Sequence, residues 1–313
     1  MTQRVLITCP HLQRTINLYR QRFAKLGIEI EVPELVQQLS EAELLDIIDR
    51  FDGVIAGDDP FTAKVLEKGK RLKVVAKWGI GMDAIDREAA EKLGIQTCNT
   101  PDVFGDEVAD VIIGYIILLA RQLHALDRSV REGGWAKIQG RSLKGKTLGV
   151  IGVGSIGRAV VRRAIAMGML VVGYDVRPLD EAFLEETGIK PTSLDELLSI
   201  SDFISLSCNL TPKNHHLISH PEFTKMKKGV YIVNTSRGAL IDEVALIEGL
   251  KTRKVVGAAL DVFEEEPLPL DSPLRTFEHC IFGTHNSSNT QEAVLRTNEM
   301  AIQNLLNALE VVK

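Results

Sequence analysis

Four cysteines in 313 residues, Cys9, Cys98, Cys208 and Cys280, form no Cys-x-x-Cys pair. That spacing is neither a zinc pattern nor a disulfide framework, and it fits a reducing cytoplasm. Aromatic residues make up only 5% of the chain, and no stretch is of low complexity or repeats with a solenoid period. Like charges form no long block: 37 basic side chains stand against 42 acidic ones, a net charge of −5. A nucleic-acid surface clusters Lys and Arg, and an anionic-membrane binder needs a polybasic run, so neither partner is expected. Long apolar runs are missing as well. The N-terminal MTQRVLITCPH holds only a four-residue apolar run, too little for a signal peptide. The most apolar stretch, 111–120, is about half of the ~20 residues that cross a bilayer, which predicts a buried helix. The expectation is a cytoplasmic protein. At ~150 residues per domain its length suggests two domains, each able to bury a core without staples.

What the sequence does have is rhythm. Short runs rich in Val and Ile, bounded by Gly, Asp, Pro or Asn, lie at 5–8, 28–32, 53–56, 73–76, 95–97, 148–151, 170–174, 203–206, 230–233, 255–259 and 280–282. Each is too short for a helix and reads as a buried strand. Between most of them lie roughly 12–20 residues with helical spacing, such as 41–50, 156–167 and 243–250. Strand–helix alternation builds parallel sheets with right-handed crossovers, covered on both faces. The fold class is α/β. The rhythm breaks once, where 105–134 reads as one long helix ended by Gly133 and Gly134. Its apolar breadth at 111–120 exceeds a single amphipathic stripe, so it reads either as a core helix or as a helix that buries part of this face against a second subunit. The stretch 291–312 reads as a final helix packing back onto one of the domains.

At 148–157 the sequence LGVIGVGSIG runs a buried-type strand directly into Gly152, Gly154 and Gly157, which then open a helix. The first glycine allows a tight turn, the second lets backbone approach a pyrophosphate, and the third allows close helix–strand packing. Amide groups and the positive helix end then supply an anion site. Asp175 ends the next strand, eighteen residues beyond Gly157. A carboxylate there bonds ribose hydroxyls and repels a 2′-phosphate, which points to NAD; Arg177 is the one feature favouring NADP.

Three later strands each end in a polar residue. Arg237 follows 230–233, Asp261 and Glu266 follow 255–259, and His285 follows 280–282. Taken singly, Arg237 reads as a surface ion pair, Glu266 as one of three loop acids, and His285 as a loop histidine. Together, on successive strands of one nucleotide domain, they suit hydride transfer to a 2-oxo acid. Arg recognises a carboxylate with a planar fork, His exchanges a proton with the carbonyl oxygen, and a Glu beside it stabilises the imidazolium. No metal site is expected. The adjacent His215 and His216 are expected to point apart and to make a poor chelate.

At this point the chain resembles the D-isomer-specific 2-hydroxyacid dehydrogenases, in their phosphoglycerate dehydrogenase-like branch. The resemblance rests on KWGIGMDAID (77–86), NTP (99–101), EGGW (132–135), LKGKTLGVIGVGSIGR (143–158), LTPKN (210–214), VNTSRGALIDE (233–243), AALDVFEEEP (258–267) and GTHNSSNT (283–290). It implies two doubly wound parallel-sheet domains, with a Rossmann NAD domain at 99–286 inserted into a flavodoxin-like substrate domain at 1–98 plus 287–313. It implies an NAD-dependent enzyme interconverting a D-2-hydroxy acid and its 2-oxo acid, with Arg237, Glu266 and His285 catalytic. Cofactor contacts are implied for Gly152, Gly154, Ser155, Ile156, Gly157, Asp175, Thr211, Thr235 and Asp261. Substrate carboxylate would meet Arg237 and the backbone of Gly79, Ile80 and Gly81. The helix near 105–133 would form a homodimer.

The chain also departs from the pattern. Gly283 and Thr284 precede His285 where the family usually has Thr-Pro, and the residues that follow, Asn286, Ser287, Ser288 and Asn289, are unusually polar. Phosphoglycerate users tend to carry Arg where this chain has Gly57-Asp58-Asp59 and Lys77-Trp78, and the acids there argue against 3-phosphoglycerate. Two rival readings stand beside the main one. One is a dinucleotide-sensing, corepressor-like interaction protein; the other is a dehydrogenase of a non-standard reductant such as formate or phosphite.

Overall fold

The structure, a computed structural model, describes residues 2–311. Five strands build one sheet: β1 (Gln3–Ile7), β2 (Ile28–Glu31), β3 (Gly53–Ala56), β4 (Val74–Lys77) and β5 (Gln96–Cys98). Seven build another: β6 (Thr147–Ile151), β7 (Leu170–Tyr174), β8 (Lys190–Pro191), β9 (Phe203–Leu206), β10 (Val230–Asn234), β11 (Val255–Leu260) and β12 (Cys280–Phe282). Every pairing in both sheets is parallel. Parallel strands covered on both faces have no solvent side, which is why β3, β4, β9 and β10 are buried at every residue and are dominated by apolar residues, with Lys77, Ser205 and Asn234 the buried polar exceptions.

The chain divides into two compact units, Met1–Val103 with Asn289–Lys313, and Phe104–Ser288. The family resemblance implies boundaries at 98/99 and 286/287. In the first unit the strand order is β2-β1-β3-β4-β5, a flavodoxin-like order. Its core gathers Phe51, Phe61, Val65 and Leu66 around the sheet. The helix Gln291–Ala308 closes this sheet's other face. It packs closely at Gly53, where an added Cβ would stand 2.8 Å from Leu305 Cδ1. Residue 312, expected at the end of this helix, lies outside the described residues.

In the second unit the order is β12-β11-β10-β9-β6-β7-β8. The chain winds outward from β6 in one direction through β7 and β8, then returns to β9 and winds in the other. Ligands of open α/β sheets bind at the carboxyl ends of the strands, where the order reverses, here β6 between β7 and β9. The glycine-rich turn leaves the sheet at that point.

Two features differ from the sequence expectation. The segment read as one helix over 105–134 is two, Gly105–Arg121 and Leu123–Arg131, bent by 66° at Gln122. Gln122 takes a left-handed conformation (φ 51°), ending the first helix without the glycine or proline that would mark such a break. The buried side chains of the first helix, Val108, Ala109, Ile112, Ile116, Leu119 and Ala120, recur at helical spacing, while the second buries none. Strand β8, only two residues long with a proline, was not expected at all. Among the described residues no single helix is long and apolar enough to cross a membrane.

Candidate active site

The glycine turn is built as the three-glycine logic requires. Gly152 has φ +89°, and a Cβ there would stand 2.6 Å from the Cys208 amide nitrogen. A Cβ on Gly157 would overlap the Gly152 carbonyl, whereas one on Gly154 would meet nothing within 4 Å. The middle glycine therefore borders open space, as an approaching pyrophosphate demands. Ser155 and Ile156 open the following helix, Ser155–Ala166. Asp175, at the end of β7, accepts hydrogen bonds from the Val153 amide (2.8 Å) and the Arg177 amide (2.9 Å). That locks the carboxylate against the turn. Arg177 itself leaves its side chain 82% exposed, with Nε 3.9 Å from Asp175.

Two hydroxyls at the same sheet end have lost water without gaining a partner. The Oγ1 of Thr235, just after β10, and the Oγ of Ser207, just after β9, are both buried and make no hydrogen bond among the described residues. Orphaned donors of this kind are costly unless a ligand meets them. They fit a dinucleotide lying across the strand ends. Ser207 is a residue the sequence reading missed, since a serine after a strand carries no pattern. Beside it, burial pushes the Cys208 thiol up to about 11, so it stays protonated. Thr211 differs: its amide and hydroxyl both donate to Asn214 Oδ1 (2.6 and 2.9 Å) within a surface turn.

The polar residues after β10, β11 and β12 converge. His285 Nδ1 lies 2.8 Å from Glu266 Oε2, and Glu266 Oε1 accepts the Phe263 amide at 3.0 Å. Both side chains are only about one-fifth exposed (22% and 20%). His285 is held in a left-handed conformation (φ 53°), a cost that the surrounding bonds must overcome. Asp261 supplies them. Its carboxylate accepts the Asn286 amide at 3.0 and 3.1 Å and the Ser287 amide at 2.8 Å, while its carbonyl accepts the His285 amide at 2.6 Å. The expected cofactor contact at Asp261 is thus, in geometry, first an anchor for the histidine's turn.

Arg237 is brought to the same turn by backbone. Asn234 Nδ2 donates to the Arg237 carbonyl (2.8 Å), and Nη1 of Arg237 donates to the Ser236 carbonyl (2.9 Å). A Cβ on the next residue, Gly238, would overlap the backbone of Phe263 and Glu264, so the two loops touch main chain to main chain.

In the first unit, Gly79 adopts φ +129°, open only to glycine. Its amide donates to Thr100 Oγ1 (3.0 Å), and its carbonyl and that of Ile80 accept from Thr100 and Asn99. The loop's donors toward an anion are therefore the amides of Ile80 and Gly81 rather than all three. The expected acidic pair is also revised. Asp59 is fully buried, accepting the Leu39 amide (2.8 Å), the Gly57 amide (3.0 Å) and the Thr8 hydroxyl, and burial raises its pKa. Only Asp58 remains near the surface, 3.1 Å from Nζ of the buried Lys77. Lys77 is thus already neutralised.

Comparison with known proteins agrees in pattern. Residues 113–287 match the family model described as D-isomer specific 2-hydroxyacid dehydrogenase, NAD binding domain. The chain is 37% identical over 258 residues to the glyoxylate reductase of Thermofilum pendens, covering 80% of this chain and 76% of that one. It is 38% identical over 289 residues to the hydroxypyruvate reductase of Thermotoga maritima, covering 90% and 92%. The crystal structure of D-lactate dehydrogenase from Aquifex aeolicus, complexed with NAD and lactic acid, superposes with a TM-score of 0.87 at 28% identity, over 99% of this chain and 97% of that one.

Proposed function

This chain belongs to the D-isomer-specific 2-hydroxyacid dehydrogenase family, an NAD-dependent oxidoreductase by that membership, and we propose that it reduces a small unphosphorylated 2-oxo acid of the glyoxylate or hydroxypyruvate kind. The observation that carries the reading is the 2.8 Å pair of His285 and Glu266 at the strand ends of a sheet whose glycine turn fits a dinucleotide.

The chemistry that a bound NADH supplies is a hydride for the keto carbon. Gly152, Gly154 and Gly157 would hold its pyrophosphate, Asp175 its ribose, and Thr235 and Ser207 would give it hydrogen bonds. Because Asp175 is locked beside the turn and Arg177 is splayed into solvent, the site favours NAD over a 2′-phosphorylated cofactor. Arg237 binds the substrate carboxylate with its guanidinium. Glu266 holds Nδ1 of His285, so proton exchange with the substrate oxygen falls to Nε2. As the oxygen gains charge the imidazolium gives up its proton there, and Glu266 stabilises that imidazolium beforehand. Asp261 acts through the turn it anchors and is a positioning residue. The unit 104–288 is the cofactor domain in this reading, the other unit the substrate domain.

Lys77 is paired with Asp58 and so is not a ready cation for a substrate phosphate. NADH oxidation against glyoxylate, pyruvate, hydroxypyruvate, 2-oxoglutarate and phosphohydroxypyruvate tests the reading. The highest kcat/KM is expected with an unphosphorylated acid of two or three carbons, at least about tenfold above phosphohydroxypyruvate. A preference for the phosphorylated acid would refute the substrate assignment. Tight NADH binding without turnover on any of the five would refute the enzyme reading itself.

A further inference from the structure

His215 and His216 do not diverge. The left-handed conformation of His216 (φ 52°) folds the chain so that the two rings lie 4.0 Å apart, centroid to centroid. It also turns His216 toward Asp242 and Glu264, and one donor atom from each of the three lies within 4.8 Å of the others. We propose that His216, Asp242 and Glu264 form a site for a divalent transition metal of the zinc class, with three protein ligands and positions left for water.

The imidazole nitrogen carries the argument. Nε2 of His216 is sealed from solvent and stands 3.0 Å from Oε1 of Glu264, yet the two are not aligned as a hydrogen bond. Close, misaligned donor atoms are what a shared ion leaves: ligands at 2.0–2.1 Å around a tetrahedral centre stand about 3.3 Å apart. Each carboxylate keeps lone pairs for an ion. Asp242 caps the helix Glu243–Lys251 with Oδ1 alone, bonded to the Val244 and Ala245 amides at 2.9 and 3.1 Å, which leaves Oδ2. Glu264 is tied to the same helix start, its Oε1 accepting the Glu243 amide and its own amide donating to Glu243 Oε1. Among the described residues no Lys or Arg forms an ion pair with Asp242, Glu243, Glu264 or Glu265, so this acid-rich corner has no cation of its own. One neutral imidazole with two carboxylates suits zinc, cobalt or nickel better than calcium or magnesium, which prefer all-oxygen shells. The site stands apart from the hydride chemistry, but Glu264 is two residues from Glu266, so a bound ion would stiffen the turn that holds His285.

Equilibrium dialysis with ZnCl2, and visible spectroscopy with CoCl2, test the site on the purified full chain. His216→Asn removes the imidazole while keeping a residue that tolerates positive φ, and Asp242→Asn keeps the helix cap while removing the charge. Wild type is expected to take up one more Zn2+ per chain than either variant, to gain thermal stability on doing so, and to give the intense visible bands of low-coordinate Co2+. Equal uptake by wild type and His216→Asn, at any level including none, would overturn the proposal. So would a response to Ca2+ or Mg2+ with none to Zn2+.

Discussion

Replacing His285 with Asn is expected to lower kcat on the best 2-oxo acid by about a thousandfold, roughly 4 kcal/mol of transition-state stabilisation, while NADH affinity stays within about twofold. Asn is the informative choice because His285 sits at φ 53°, where Asn is among the least strained of the non-glycine residues. An Ala there would add backbone strain to the loss of the ring. Asn also leaves the Asp261 bonds to the 285–287 backbone intact, since those involve amides only. The variant therefore removes the proton-exchanging ring and its bond to Glu266 while keeping the backbone bonds of the turn. Steady-state rates together with a fluorescence titration of NADH separate the two readouts. A fall in kcat of less than tenfold would mean that the proton comes from elsewhere; loss of NADH binding in parallel would mean that His285 holds the cofactor turn together.

Replacing Gly238 with Ala is expected to cost about 3 kcal/mol of stability or more, and to remove most activity from whatever still folds. The added methyl group would overlap the carbonyl carbon and oxygen of Phe263 and the amide of Glu264, all of them backbone atoms. Side chains can rotate out of a clash; here a loop must move. The loops in question carry Arg237 on one side and Glu266 on the other, so separation would part the carboxylate-binding group from the proton-transfer pair. Chemical denaturation followed by circular dichroism measures the first effect, and kcat/KM of the folded fraction the second. Unchanged stability together with full activity would show that these loops do not need the contact.

Much of this architecture is legible from local chemistry. Short Val- and Ile-rich runs between turn residues mark eleven of the twelve strands, because a strand covered on both faces has no room for polar alternation. The exception, Lys190–Pro191, is too short and too polar to carry that signal. The helix break at Gln122 is invisible because a left-handed glutamine leaves no compositional mark, unlike glycine at the same task. The dinucleotide turn is legible residue by residue, since each glycine answers a separate steric demand. Where the sequence reading falls short is in burial and facing. Asp58 and Asp59 look alike in the chain, yet one pairs with Lys77 near the surface and the other is fully enclosed. His216 looks like a solvated loop residue until its backbone angle is known. Orphaned hydroxyls such as Thr235 and Ser207 are defined by the partners they lack, and only the packed fold reveals that.

The central claim is a dehydrogenase specific for one hand of a 2-hydroxy acid, and the reverse reaction tests it most directly. With NAD and separate enantiomers of glycerate and lactate, NADH formation at 340 nm is expected from a D-isomer and from neither L-isomer. NADH appearing with an L-isomer at a comparable rate, or with no 2-hydroxy acid at all, would contradict the account.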